Sequence, residues 1–466
     1  MLKKILNILK DNGDKTLYKI NNNSITYGEC YQKVIELAKS LKKQGTLPVI
    51  LYGSKSINQF ISILACVVSK RIYIPIDTCT PKNRITEIIK ITNSNLIIKN
   101  ENISFEKIEC LTIDELNNKY KNIRIEKEST NQIAYIIFTS GTTGQPKGVP
   151  ITYGNLENFI LWITTQSELM KCEKMQVLSQ ASFSFDLSVM DIYFSIYKCC
   201  TINAVSQEDK QELSKLYEII NQNKIEFLIS TPTFIKLLLI DKYFDYNNFP
   251  NIKYMFFCGE TLEIELIKKI KNRFPKVKII NAYGPTEATC CVSLLEIQDN
   301  MLNEKITPVG KISTAAVDIF IENNEICLKG KSVFKGYLKS PNQIVNYKTG
   351  DLGYIKNDYL YCLGRKDRQI KYQGYRIELN DIENNLLKIN GIKDAVVICK
   401  YKENTKIVKL IKAFVTVEFD IDENLIKKEL SRFIPKYMIP KTIIILKEMP
   451  INKNGKYDRK KLSELW

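Results

Sequence analysis

Helix-like and strand-like stretches alternate along the first third of the chain. Residues 26–43, 57–69 and 85–92 carry helical patterns, with apolar residues falling on one face. Between them, 48–52, 72–76 and 95–98 are short apolar runs of the kind buried in a parallel sheet. Residues 1–15 alternate apolar and Lys positions and predict an amphipathic first helix, without the h-region or cleavage site of a secretory signal. The alternation resumes with a strand at 135–138, a helix at 153–167, a strand at 175–178 and further units to about 280. Past 292 the strand patterns shorten (318–321, 325–329, 353–356) and suggest a β-rich subdomain. A charged turn at 365–368 breaks the pattern. Helices at 380–388 and 423–433 with strands at 395–399 and 407–417 then form a small α+β unit. The expected fold is α/β: a large N-terminal domain of α/β layers with a β-rich subdomain, then a small C-terminal domain. The expected boundaries are 1–366 and 367–466.

Composition narrows the chemistry. A length of 466 residues with 44% hydrophobic and 26% charged residues fits a globular enzyme of two or three packed units. The longest apolar run, 60–68, is too short to span a bilayer, and a cytoplasmic protein without a membrane partner is expected. Thirteen cysteines without CxxC spacing suggest neither a zinc site nor a redox pair, and their odd number fits a reducing compartment. The formal charge of +17 is spread along a chain rich in Lys, Ile and Asn, which reads as compositional bias rather than nucleic-acid binding, although it could steer an acidic protein partner. Histidine is absent, so every mechanism that needs an imidazole is excluded.

The most informative segment is 135–149, YIIFTSGTTGQPKGV. An apolar strand runs into Thr139, Ser140, Gly141, Thr142, Thr143 and Gly144, followed by Lys147. Small hydroxyl donors, glycines that let backbone N–H groups converge and a cation make a phosphate site. No Gly-Lys in it precedes Ser or Thr, so it is not a Walker loop. The string SGTTGQPKG resembles the phosphate loop of the adenylate-forming enzymes, which include acyl-CoA synthetases, luciferases and amino-acid-activating adenylation domains.

Further motifs of that family follow in order. Asn281-Ala282-Tyr283-Gly284-Pro285-Thr286-Glu287 resembles its adenine and magnesium motif. The resemblance implies that Tyr283 lies on adenine, Thr286 reaches the α-phosphate and Glu287 holds Mg²⁺, with Gly259 and Glu260 also at the nucleotide. Tyr347–Asp351 resembles the ribose motif, in which Asp351 accepts from both hydroxyls; Tyr361 is placed with it. Residues 364–371 resemble the interdomain segment, with Arg365 on ribose or phosphate and Asp367 as the hinge. Residues 452–459 resemble the loop of the catalytic lysine, here Lys456. The implied cofactors are ATP and Mg²⁺. A carboxylate substrate is ionised at neutral pH and needs no general base, so cations and oriented donors suffice and the lack of histidine is no obstacle.

Phe185-Asp186-Leu187-Ser188-Val189-Met190 resembles the motif that opens the acid pocket, where amino-acid-activating members bind the substrate ammonium through the Asp. The other reading of Asp186 is a cap on a helix at 187–193. Motif correspondence adds Leu187, Met190, Thr233, Phe256, Cys258, Ala282, Cys290 and Cys291 to the pocket, and bulky Met190 and Phe256 imply a small side chain. The combination looks most like the free-standing D-alanine–carrier protein ligases of the family. The adjacent Cys290 and Cys291 depart from that pattern, so another small amino acid stays open, as does an acyl- or aryl-CoA synthetase. An aminoacyl-tRNA synthetase of class I would need histidines. No carrier motif is visible after Lys456, which implies a separate phosphopantetheinylated carrier protein as partner and no nucleic acid.

Overall fold

Runs such as Phe227–Ser230 and Tyr254–Phe257 are buried at every position, so they can only sit in a sheet covered on both faces. The computed structural model describes residues 1–119, 131–141, 145–312, 317–340, 343–402, 407–452 and 457–465. In it those runs belong to an eight-stranded sheet in the order Ser293–Glu296, Lys278–Tyr283, Tyr254–Phe257, Phe227–Ser230, Gln176–Ser179, Thr201–Ala204, Thr16–Ile20, Asn23–Thr26. Its inner pairings are parallel, and an antiparallel strand closes each edge. A six-stranded sheet runs in the order Glu109–Leu111, Leu96–Lys99, Val49–Tyr52, Tyr73–Ile76, Ile133–Thr139, Lys147–Thr152. The β-rich subdomain is a four-stranded sheet of Val317–Glu322, Glu325–Gly330, Tyr347–Lys356 and Tyr359–Arg365.

Helices start where the side chains can hold them. Tyr153–Thr165 opens on a capping box between Thr152 and Asn155, and Tyr27–Gln44 on one between Thr26 and Glu29. The first helix, Leu2–Asp11, is shorter than the pattern predicts and buries Leu2, Ile5 and Leu9. No helix among the described residues is long and apolar enough to cross a membrane.

The chain forms two compact units. One comprises 1–78, 92–137 and 149–363; the other comprises 79–91, 138–148 and 364–466. In the smaller unit, Ile392–Tyr401 and Val408–Val417 pair antiparallel, and Thr442–Leu446 joins parallel to the second. Leu379–Leu386 and Glu423–Leu430 supply Ile382, Leu386, Ile426 and Leu430 to its core. Segment 79–91 is tied in by Arg84, which donates to Asp381 at 3.2 Å. Sequence periodicity did not signal that 79–91 and 138–148 group with the C-terminal residues.

Candidate active site

In the larger unit, one segment organises the candidate residues. Strand Lys278–Tyr283 ends in Asn281, whose amide donates to the Pro308 carbonyl at 2.8 Å, and Tyr283, whose hydroxyl donates to Asp351 Oδ2 at 2.8 Å. Gly284 follows because nothing larger fits: a Cβ there would lie 2.4 Å from Cys291 Cα. Beyond Pro285 a single 3₁₀ turn, Thr286–Ala288, holds Thr286 and Glu287. Thr286 Oγ1 donates to Asp186 Oδ2 at 2.5 Å. Glu287 is fully buried; its carboxylate accepts from the Tyr337 hydroxyl at 2.7 Å, and its carbonyl accepts from Phe334 N at 2.7 Å. Residues 283–287 therefore link Asp186, Glu287 and Asp351. Directly after them Thr289 and Cys290 have φ of 60° and 77°, left-handed backbone that is costly for side-chain-bearing residues. The Thr289 hydroxyl, donating to Ser332 O at 2.8 Å, helps to hold this turn.

Asp186 precedes a short α-helix, Leu187–Val189, but its side chain makes no cap there. The segment continues as a π-helical turn, Met190–Phe194, and returns to α geometry at Ser195–Tyr197. Such turns concentrate at functional sites because they redirect side chains within a helix. Leu187, Met190, Phe256, Cys258, Ala282, Cys290 and Cys291 all lie in one buried apolar cluster. Cys258 Sγ is 3.9 Å from the Cys290 carbonyl. A hydrogen bond with Cys258 pushes the Cys290 thiol up, and burial does the same to Cys291, so both stay protonated. Gly259 takes φ +93°, a conformation that favours glycine. Thr233 is exposed, and its backbone N–H and hydroxyl donate to Glu260 at 2.8 and 2.9 Å. Tyr361 is buried and stacks on Tyr354 with ring centroids 4.8 Å apart.

The smaller unit carries the remaining candidates. Thr139 ends a strand, and the Ser140 hydroxyl donates to Arg376 O at 3.0 Å while accepting from Glu378 N at 2.9 Å. At Gly141 a Cβ would lie 2.0 Å from Gln145 O, so only glycine fits at that position. Thr142, Thr143 and Gly144 lie outside the described residues, and Lys147 opens the strand Lys147–Thr152. Arg365 donates to both oxygens of Asp367, at 2.9 and 2.5 Å. Burial works against the charge of Asp367, yet Arg365 holds its carboxyl below the usual range. Lys456 also lies outside the described residues. On its C-terminal side, Tyr457 donates to Asp394 at 2.7 Å, and Arg459 shares the Glu383 carboxylate with Arg368.

Tyr337 escaped the sequence reading. It belongs to no motif singled out there, and only the fold brings its hydroxyl to Glu287. Among the described residues no group of three or more His, Cys, Asp or Glu side chains could hold a metal.

Comparison with known proteins gives one consistent picture. Residues 7–338 match the AMP-binding enzyme family, and 381–456 match the AMP-binding enzyme C-terminal domain. A D-alanine–D-alanyl carrier protein ligase of Bacillus licheniformis is 36% identical over 479 aligned positions, covering 94% of each chain. Among solved structures, an o-succinylbenzoate CoA synthetase of Bacillus subtilis superposes with a TM-score of 0.86 at 20% identity, covering 99% of this chain and 98% of the other. The Vibrio cholerae adenylation domain AlmE, in complex with glycyl-adenosine-5′-phosphate, gives 0.84 at 22%, covering 99% and 97%. At those identities the two structures speak for the fold alone. With matches on both domains and a relative similar along nearly its whole length, the chain belongs to the AMP-binding enzyme family.

Proposed function

We propose that this enzyme uses ATP to activate a small amino acid, D-alanine favoured, as aminoacyl-AMP and then passes the aminoacyl group to the phosphopantetheine thiol of a separate carrier protein. The observation that carries the reading is the Thr286–Asp186 hydrogen bond, which sets the candidate ammonium ligand against the candidate α-phosphate ligand. The similarity to a D-alanine–D-alanyl carrier protein ligase supports the substrate and partner. None of the thirteen cysteines forms a disulfide, in keeping with a cytoplasmic location.

In the first half-reaction the substrate carboxylate oxygen attacks the α-phosphorus of ATP, and pyrophosphate departs with the electron pair of the broken P–O bond. Asp186 holds the ammonium, so the carboxylate points towards the phosphate. Leu187, Met190, Phe256, Cys258, Ala282, Cys290 and Cys291 surround the side chain; Met190 and Phe256 are both fully buried, and their bulk favours a small substrate side chain over a long one. Asp351 and Tyr283 orient ribose and adenine, with Asn281, Gly259, Glu260, Tyr361 and Arg365 around the nucleotide. The hard carboxylate of Glu287 would hold Mg²⁺, which would supply positive charge against the phosphates. Lys456 and the 139–147 loop, including Ser140, Gly141 and Lys147, supply the remaining positive charge and donors. In the second half-reaction the carrier thiol attacks the acyl carbonyl and AMP leaves. We assign residues 367–466 as a mobile lid hinged at Asp367, which removes Lys456 to admit the carrier's arm.

A buried carboxylate at 186 disfavours acids without an amine, which argues against an acyl- or aryl-CoA synthetase. ATP–pyrophosphate exchange over D- and L-amino acids, glycine and propionate tests the proposal. D-alanine should give the highest kcat/KM; exchange driven by propionate and by no amino acid would overturn it.

A further inference from the structure

Between the strand Gln176–Ser179 and the short helix Leu187–Val189, residues 180–186 form no regular element, so their course depends on what holds the two ends. Within the larger unit, three side chains do this. Lys55 lies in the loop between strand Val49–Tyr52 and helix Ile57–Ser69. Its Nζ donates to the carbonyl and hydroxyl of Ser179 at 2.9 and 2.6 Å, and the Ser179 hydroxyl donates on to Asp191 Oδ2 at 2.5 Å. Asp191 follows Met190 in the π-helical turn, and Asp186 lies between Ser179 and Asp191 in the chain. The middle of the segment is held as well. Lys55 Nζ stands over the Phe183 ring, 5.4 Å from its centroid, and Ser182 donates to Asp77 at 2.6 Å.

The side chains of Lys55 and Asp191 are 5% and 0% exposed, so water cannot readily replace a lost partner. A buried ion pair is a weak source of stability, because well-packed apolar residues of similar volume often serve as well or better. What it supplies is direction, since each hydrogen bond fixes a distance and an angle. Here those directions fix both feet of the segment that carries Asp186. We infer that Lys55 is a positioning residue for the amino-acid pocket: through Ser179 and Asp191 it holds residues 180–190 so that Asp186 meets the substrate ammonium and Met190 lines the side-chain space. The inference rests on the role proposed above for Asp186.

Pyrophosphate exchange, with D-alanine and ATP varied in turn, tests this in Ser179→Ala and in the double variant Lys55→Met with Asp191→Asn, which nearly keeps the volume of the pair without its charges. Urea unfolding checks that each variant is folded. In both, KM for D-alanine should rise about tenfold or more while kcat and KM for ATP stay within about threefold, as expected when binding of one substrate is misdirected. A pair that serves the fold alone would lower the active fraction, and kcat with it, at unchanged KM for both substrates. An unchanged KM for D-alanine in either folded variant, or an equal rise for ATP, therefore overturns the positioning role and leaves the proposed function intact. Should the double variant not fold, Ser179→Ala, which removes a single hydroxyl, decides alone. If no amino acid drives exchange in the wild type, the proposed function fails, and this inference with it.

Discussion

On the proposed reading, substrate class turns on Asp186. It accepts from Thr286 and makes no helix cap, so a buried carboxylate is held at the mouth of the π-helical segment with no capping duty to explain it. Asp186→Asn keeps the shape and removes the charge. A hydrogen bond to a charged group contributes about 1.5–3 kcal/mol, so kcat/KM for the amino acid should drop roughly 10- to 150-fold with the KM for ATP little changed. Steady-state exchange kinetics, varying each substrate, check this. Tyr337 acts one step further out. Its hydroxyl donates to Glu287, the proposed Mg²⁺ ligand, and orienting partners of metal ligands change metal affinity about 10- to 100-fold. Tyr337→Phe should shift the Mg²⁺ dependence of exchange to higher concentration by about that factor, and Mn²⁺ binding followed by electron paramagnetic resonance should weaken in parallel.

Beneath the 180–186 loop, elements from both sheets meet at a buried ion pair. Lys55 donates to the Ser179 carbonyl and hydroxyl at 2.9 and 2.6 Å and lies 3.9 Å from Asp191, whose carboxylate accepts from the same hydroxyl at 2.5 Å. Burial pushes the Lys55 amine down, against the attraction of Asp191, and pushes the Asp191 carboxyl up. Just below the ordinary lysine range, the unfolded chain binds a proton at Lys55 that the folded chain does not, so stability rises with pH there. Just above the ordinary carboxylate range the folded chain holds the extra proton at Asp191, and stability falls as pH rises. Lys55→Met strands a buried carboxylate and should cost about 3–5 kcal/mol in urea unfolding. Combining it with Asp191→Asn should recover most of that loss and flatten the pH profile below the ordinary lysine range. None of this was readable from the string, because Lys55 and Asp191 are far apart in the chain and in no motif. The sheets were legible, since strands such as Tyr254–Phe257 are apolar throughout. The π turn at Met190–Phe194 was not: a helix at 187–193 fits the same apolar spacing, and tertiary packing decides between α and π geometry. Candidate residues were legible where a motif is contiguous, as in 281–287. Tyr337 was not, because its role arises only when 333–337 folds back against Glu287.

At the scale of the whole molecule, the question is how one protein favours two reactions with opposite needs. Adenylate formation gathers negative charge on phosphate and calls for every available cation. Thioester formation calls for an open path to the acyl carbonyl. A single rigid arrangement serves one at the expense of the other, so a cation that assists the first step should belong to a part that can leave. The smaller unit offers suitable mechanical links within itself. Arg365 grips Asp367, Arg368 grips Glu383, and Arg459, three residues beyond Lys456, grips the same Glu383. On the proposed hinge at Asp367, Arg368, Glu383 and Arg459 would turn together. Lys456→Ala should therefore separate the steps. Pyrophosphate exchange with D-alanine should fall by at least about 100-fold, since a preorganised charge of this kind contributes several kcal/mol to the transition state. Kd for ATP, read by calorimetry, should change little. Transfer from chemically supplied D-alanyl-AMP to the phosphopantetheinylated carrier should stay within a few-fold of wild type, because the proposed assignment gives the lysine no part in that step. A variant that loses both activities in proportion would show instead that the loop around Lys456 stays in place for the thiol's attack, and a single closed arrangement would then have to account for both.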